Sequence, residues 1–264
     1  MLKLSHVKKT FNKGTVTEKR ALTGVNLTLA DGDFVTVIGG NGAGKSTLLN
    51  MIAGVYPIDS GVIELDGKDI SRLSEPARAK YLGRVFQDPM RGTAADMQIE
   101  ENLALARRRG AHRGLAWGVT RAEREEYPRL LATLGLGLED RMRAKVGLLS
   151  GGQRQALTLL MATLTEPRVL LLDEHTAALD PKTASKVLAL TEQIVNERHL
   201  TTLMVTHNMN DAIRLGNRLI MMHEGNVIYD VSGEEKKSLT VADLLQKFEE
   251  VSGGELANDR MLLG

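Results

Sequence analysis

Residues 33–54 constrain the fold more than any other stretch of the chain. A mainly apolar run, 33–38, leads into Gly39-Gly40-Asn41-Gly42-Ala43-Gly44-Lys45-Ser46, and a helix-forming stretch, 45–53, follows and stops at Gly54. The octapeptide fits G-x-x-x-x-G-K-[ST]. Such a loop works between a strand and a helix. Its glycines let consecutive backbone N–H groups turn inward around phosphate oxygens, and the positive end of the helix completes the anion site. Phosphate contacts are expected from Gly39, Asn41, Gly42, Ala43, Gly44, Lys45, Ser46 and Thr47. Lys45 is expected to reach the β- and γ-phosphates, and the Ser46 hydroxyl to ligate Mg²⁺. A glycine turn that only caps a helix is the alternative, but the flanking strand and helix favour the phosphate reading.

The second landmark is Val169-Leu170-Leu171-Leu172-Asp173-Glu174, an apolar strand that delivers two carboxylates at its end. In open α/β sheets ligands bind at that edge. Asp173 would hold Mg²⁺, directly or through water, and Glu174 would polarise the attacking water as general base. Alone, the segment reads better as a strand ending in a solvated acidic turn. The glycine loop upstream reverses that preference.

Around these landmarks, 2–7 and 22–29 alternate apolar and polar residues, as strands of a half-exposed antiparallel sheet do. A strand is expected at 61–66 with a turn at Asp66-Gly67. Between 88 and 149 strand signals vanish and Arg, Ala, Leu and Glu dominate, which predicts a helical insertion. A helix over 153–164, the strand at 169–172, a helix over 181–197 and a strand at 202–206 alternate as parallel-sheet proteins do. Residues 218–222 and 226–231 read as a hairpin around Glu224-Gly225. Val241, Leu244, Leu245 and Phe248 fall at helical spacing. The expected organisation is one domain over 1–250, with a core of 1–87 and 165–250, a helical subdomain of 88–164, and a flexible tail of 251–264.

Composition excludes several classes. With 34 Lys and Arg against 33 Asp and Glu, the net charge of +1 argues against a nucleic-acid binder. Arg107-Arg108-Arg109, with Arg113, Arg121 and Arg124, is offset by Glu123, Glu125 and Glu126, and no aromatic platform interleaves. A solvated helical face is the reading, with Trp117 as packing. No cysteine is present, so disulfides and thiolate-bound metals are excluded. No apolar run approaches the roughly 20 residues that cross a bilayer, and Met1 to His6 lack the apolar stretch of a leader. Any membrane role is expected to come through a partner.

One more motif remains. Leu149-Ser150-Gly151-Gly152-Gln153 precedes a helix, where its glycines and the helix start make a second anion-binding surface. A Ser-capped helix start is also expected here, but does not explain the two glycines. The order of glycine loop, Leu-Ser-Gly-Gly-Gln and apolar strand with Asp-Glu resembles the ATP-binding-cassette (ABC) ATPases over nearly the whole chain. The resemblance implies an α/β fold: a P-loop NTPase core with a mainly parallel sheet flanked by helices, an antiparallel N-terminal β-subdomain and an inserted helical subdomain. It implies ATP and Mg²⁺ as cofactors, and a dimer in which Ser150, Gly151, Gly152 and Gln153 close over the partner's nucleotide.

By the same resemblance Gln87 contacts Mg²⁺ and the attacking water, and His207 bonds the γ-phosphate and orients Glu174. The catalytic set is then Glu174, His207, Gln87 and Lys45, with Ser46, Gln87 and Asp173 at the metal. Asp180 matches the loop that couples the two sites, and a plain N-cap at the same position is compatible. Phe11 falls where the family stacks an aromatic on adenine, though an ordinary core Phe is nearly as good a reading. Two departures stand out: His175 follows Glu174 where many relatives carry Pro or Ala, and Ala177-Ala178 precedes Asp180 in place of Ser-Ala.

The implied function is the ATPase subunit of a membrane transporter at the cytoplasmic face of the membrane, with residues 90–99 lining the groove for a permease. The C-terminal segments resemble a subgroup of bacterial importers that use an extracytoplasmic binding protein, some linked to aromatic amino acids. An exporter ATPase, or a non-transport ATPase such as one of iron–sulfur assembly, is the alternative. No regulatory domain is expected after residue 250.

Overall fold

Alternation builds the first sheet. In the computed structural model, which describes residues 1–111 and 118–252, β1 (Leu2–Phe11) and β2 (Lys19–Leu29) pair antiparallel with Leu2 opposite Leu29 and Leu4 opposite Leu27. Leu2 and Leu4, and Val25, Leu27 and Leu29, are buried with a period of two, and a register shift after Leu4 brings Val7 into the buried set. β3 (Phe34–Ile38) is buried at all five positions, the mark of a strand covered on both faces. α1 (Lys45–Ala53) ends at Gly54, whose φ of +81° only glycine adopts readily. β4 (Ser60–Leu65) takes the other edge of β1, and the turn Asp66-Gly67 returns the chain as the two-residue β5 (Lys68–Asp69). The sheet order is β2-β1-β4-β5, and the short α2 (Glu75–Arg78) follows.

The chain divides into two compact units, Met1–Arg78 with the described residues from His199 onward, and Ala79–Arg198. The second unit opens with β6 (Leu82–Val85), then α3 (Ile99–Arg107), α4 (Arg121–Ala132), α5 (Gly151–Thr163), β7 (Val169–Asp173) and α6 (Pro181–Glu197). β6 and β7 pair parallel, Leu82 beside Val169 and Val85 beside Leu172. Ile99, Leu103, Tyr127, Leu131, Val146, Ala156, Leu157 and Leu160 form one buried cluster in this unit. Leu103 follows Ile99, and Leu131 follows Tyr127, by one helical turn.

The remainder of the first unit is β8 (Thr202–Val205), α7 (Met209–Arg214), β9 (Arg218–His223), β10 (Asn226–Ser232), α8 (Gly233–Ser238) and α9 (Val241–Ser252). β3 lies between β8 and β9, parallel to both, and β10 returns antiparallel on β9. Glu224 (φ +43°) and Gly225 (φ +76°) make the hairpin turn. Leu244 and Phe248 are buried with Met209, Leu219 and Met221, so the helical spacing at 241–248 faces a core. α8 is anchored by Lys236, whose buried ammonium donates to the carbonyls of Ile213, Leu215 and Gly216 at the end of α7.

Among the described residues no helix is long and apolar enough to cross a membrane. The strands at 2–7, 22–29, 33–38, 61–66 and 202–206 and the Glu224-Gly225 hairpin all appear, with ends shifted by a few residues. β6, β5 and α8 were not legible from the pattern. Arg113, Trp117 and the tail after 252 lie outside the described residues.

Candidate nucleotide site

In the first unit the glycine loop is shaped by what packs around it. Gly39 has φ +148°, and a Cβ there would stand 2.2 Å from the Met222 carbonyl oxygen. Gly44 has φ +101°, and a Cβ there would stand 2.6 Å from the Ala21 carbonyl oxygen. Neither position admits a side chain. The loop is buttressed by the β9–β10 turn, where the Gly225 N–H donates to Ala43 O at 3.0 Å. Lys45 is 5% exposed, and its ammonium donates to the carbonyls of Gly39 at 2.6 Å and Gly40 at 3.0 Å, which holds the charge inside the loop.

α1 begins with no side-chain cap and no acidic residue in its first turn. No carboxylate competes at the positive end of this helix, and the cradle fits a phosphate chain.

His207 lies at the same edge. Val37 is paired with Val205, and Gly39 and His207 each follow two residues later at the carboxyl ends of neighbouring parallel strands. Thr206 N–H donates to Val37 O at 3.1 Å, which keeps that edge in register. Phe11 ends β1 partly exposed, with its ring edge-on to Tyr56 at 5.3 Å and the Lys9 ammonium 5.5 Å from its centroid.

The second unit carries Gln87, Asp173, Glu174, Asp180 and the 149–153 motif. Asp173 closes β7, with the Arg84 guanidinium of β6 3.6 Å from its carboxylate. Glu174 follows with φ +46°, a left-handed conformation that is uncommon for a side-chain-bearing residue. Gln87 is exposed one residue past Phe86, whose ring lies beneath the guanidinium groups of Arg84 and Arg91. The buried Gln155 on α5 donates from Nε2 to Phe86 O at 3.2 Å and so fixes the approach to Gln87. Asn102 on α3 shapes the segment after Gln87: its carboxamide accepts from Ala94 N–H at 2.8 Å and donates to the carbonyls of Ala94 and Gln98.

Ser150 is the N-cap of α5. Its hydroxyl accepts from Gln153 N–H at 3.3 Å while Gln153 Oε1 accepts from Ser150 N–H at 3.2 Å, a reciprocal capping box. The two glycines have a packing cause as well. A Cβ on Gly152 would stand 2.1 Å from Thr183 Cγ2, and one on Gly151 3.3 Å from Leu179 Cδ2. Gly152 therefore lets α5 and α6 approach, whatever else it touches. Asp180 caps α6, with Oδ1 accepting from Thr183 N–H at 3.1 Å, and these bonds hold its carboxyl below the usual range.

The arginine cluster is less solvated than its sequence implies. Arg107 pairs with Glu126 and lies over the Tyr127 ring. Arg108 pairs with Glu123 at 2.9 Å, and Arg109 donates to Ala162 O and Thr165 Oγ1. These guanidinium groups tie the helices of the second unit together. Gln155, Asn102 and Arg84 were missed in the sequence, where a buried amide in a helix has no signature beyond its place on the apolar face.

A buttressed glycine loop, an enclosed lysine and an uncapped helix start define a P-loop nucleoside triphosphatase. The ABC transporter family profile matches residues 22–177. A tyrosine transport ATP-binding protein of Clostridioides difficile is 46% identical over 249 residues, 94% of this chain and 99% of that one. A thiamine import ATP-binding protein of Photorhabdus laumondii is 35% identical over 205 residues, 78% of this chain and 82% of that one. A dimeric ATP-binding cassette bound to ADP and Pi superposes with a TM-score of 0.75 at 31% identity, over 88% of this chain and 98% of that one. The ADP form of another cassette gives 0.79 at 28% identity, over 97% and 99%. The chain belongs to the ABC transporter family, and it is an ATP-binding, ATP-hydrolysing cassette.

Proposed function

We propose that this cassette powers a bacterial importer of a small amino acid-like solute, with tyrosine as the first candidate. The observation that carries the reading is the match to the tyrosine transport relative, 46% identical across 99% of that protein. Two copies form the working unit, as in the dimeric cassette of similar fold. The dimer sits at the cytoplasmic face of the membrane, docked on permease subunits that an extracytoplasmic binding protein supplies. The permease-facing groove is lined by 90–99, where Met90 is 45% exposed and Asn102 holds the loop. The core comprises 1–87 and 165–250 and the helical subdomain 88–164.

The residues divide by role. Gly39, Asn41, Gly42, Ala43, Gly44, Lys45, Ser46 and Thr47 hold the phosphates, and Phe11 meets the adenine. Glu174 is the general base, His207 orients it, and Gln87 senses the γ-phosphate. Ser150, Gly151, Gly152 and Gln153 act on the partner's nucleotide, with Asp180 coupling the two sites. Among the described residues no group of three His, Cys, Asp or Glu could hold a metal ion. A divalent ion would therefore draw most of its ligands from phosphate and water, as Mg²⁺ does, with Ser46, Asp173 and Gln87 as hard oxygen donors. Bound there, Mg²⁺ would neutralise charge on the phosphate oxygens.

The test is uptake of labelled tyrosine by vesicles carrying the neighbouring permease and binding protein. Uptake should require ATP and this chain, and should stop in Glu174→Gln, which should accumulate as an ATP-bound dimer. Absence of ATP-dependent uptake of tyrosine or any amino acid refutes the importer reading. A Glu174→Gln variant that stays monomeric at saturating ATP refutes the shared-site reading.

A further inference from the structure

His175 stands beside the proposed base and is used by nothing described so far. We infer that His175 is a positioning residue: donating from Nε2 to Thr191 on α6, it sets the backbone of Glu174 and so the direction of that carboxylate. The inference rests on Glu174 being the base.

Glu174 is held in a left-handed conformation, φ +46°, that a side-chain-bearing residue keeps only when its surroundings enforce it. β7 fixes the residue before it, and a turn, Ala177 N–H to Glu174 O at 3.0 Å, follows it. Asp180 then caps α6. Between these ties the one side chain driven inward is His175, 1% exposed, with Nε2 3.0 Å from Thr191 Oγ1.

The direction of that bond follows from Thr191. Its hydroxyl sits 2.8 Å from Val187 O, which can only accept, so the hydroxyl hydrogen is spent there. Thr191 Oγ1 must then accept, and His175 must carry its proton on Nε2. Nδ1 is buried with no hydrogen-bond partner among the described residues, which fits a bare ring nitrogen. A Pro or Ala at this position could not make the bond. Here one directed bond ties the loop behind Glu174 to the third turn of α6, the helix whose first turn seats Gly152.

The test separates positioning from plain stability. Thr191→Val keeps the shape and removes the acceptor. Its kcat for ATP hydrolysis, per folded protein, should fall at least tenfold, while the Kd for ATP stays within twofold. Thr191→Ser should restore kcat to within threefold of wild type, and so should His175→Gln, whose amide reaches as far as Nε2. If Thr191→Val does not fold, His175→Asn, too short to reach Thr191, takes its place. A kcat within twofold of wild type, a parallel loss of ATP affinity, or no rescue by serine overturns the inference. Glu174→Gln is measured alongside. If it hydrolyses ATP normally, the base reading has failed. If it stalls while Thr191→Val turns over normally, only the positioning role has failed.

Discussion

Arg78 ought to be among the most costly side chains to remove, and the cost can be worked from its contacts. It is 1% exposed and donates four hydrogen bonds: Nη1 to Met51 O at 2.7 Å and Ile52 O at 2.8 Å, Nε to Leu73 O at 2.9 Å, and Nη2 to Ser71 O at 2.9 Å. Two of these carbonyls belong to the last turn of α1, where a cation also complements the helix dipole. Bonds from a charged donor contribute about 1.5–3 kcal/mol each. Against them stands the desolvation of a buried guanidinium, visible as a pKa that burial pushes below the usual arginine value despite the Asp69 carboxylate.

In Arg78→Met the desolvation cost is recovered, but the carbonyls are left buried without their donor. The net loss should be about 3–5 kcal/mol, since a buried carbonyl left without a donor costs about 1–3 kcal/mol. Arg78→Lys, which lacks the planar fork, should lose part of that. Because α1 presents the phosphate loop at its other end, Arg78→Met should also weaken ATP binding by roughly tenfold, about 1.4 kcal/mol. Urea unfolding and titration with a fluorescent ATP analogue measure the two effects. A stability loss under about 0.5 kcal/mol, inside the range of ordinary surface substitutions, would refute the reasoning. Unchanged affinity in a destabilised variant would refute the link from α1 to the loop.

The other predictions concern the second unit. Gly152→Ala should destabilise by about 1–2 kcal/mol, overpacking against Thr183 Cγ2 outweighing the better helix propensity of alanine. Thr183→Ser, which removes that methyl, should recover most of the loss in thermal melts; no recovery means Gly152 is not there for packing. Glu123 has its carboxyl pKa at about 2, because the bonds from Arg108 and Thr120 outweigh a burial that works against the charge. Between about 2 and 4.5 the unfolded chain holds more protons than the folded one. The stability that Glu123 contributes, about 2–3 kcal/mol, is thus complete above pH 4.5 and fades as the pH falls towards 2. Glu123→Gln should flatten the acid limb of a stability–pH curve, and an unchanged limb would refute the assignment.

Most of the local structure around the candidate site was legible because its signals are short-range. The glycine loop, the uncapped start of α1, the Ser150 and Asp180 caps and the Glu224-Gly225 hairpin depend on residues within a few positions of one another, where periodicity and cap chemistry act. The apolar run into Asp173 was equally plain. β6 was not, since Leu-Gly-Arg-Val is too short and too mixed to alternate visibly, and it is a strand because β7 pairs with it. The arginine run looked like solvated surface, and became a set of ties only once α4 supplied Glu126 and Glu123 and α5 supplied Ala162 O.

What the amino-acid order determined by itself was the local chemistry: a phosphate loop on a strand and helix, two carboxylates at a strand end, and a second glycine motif at a helix start. Only the tertiary structure decided which side chains brace that chemistry. His175 meets Thr191 16 residues on, Arg78 reaches Met51 27 residues back, and Gln155 reaches Phe86 69 residues back. Such bonds are worth making only where water has been removed from both partners, and burial of that kind is a property of the packed fold, not of neighbours along the chain.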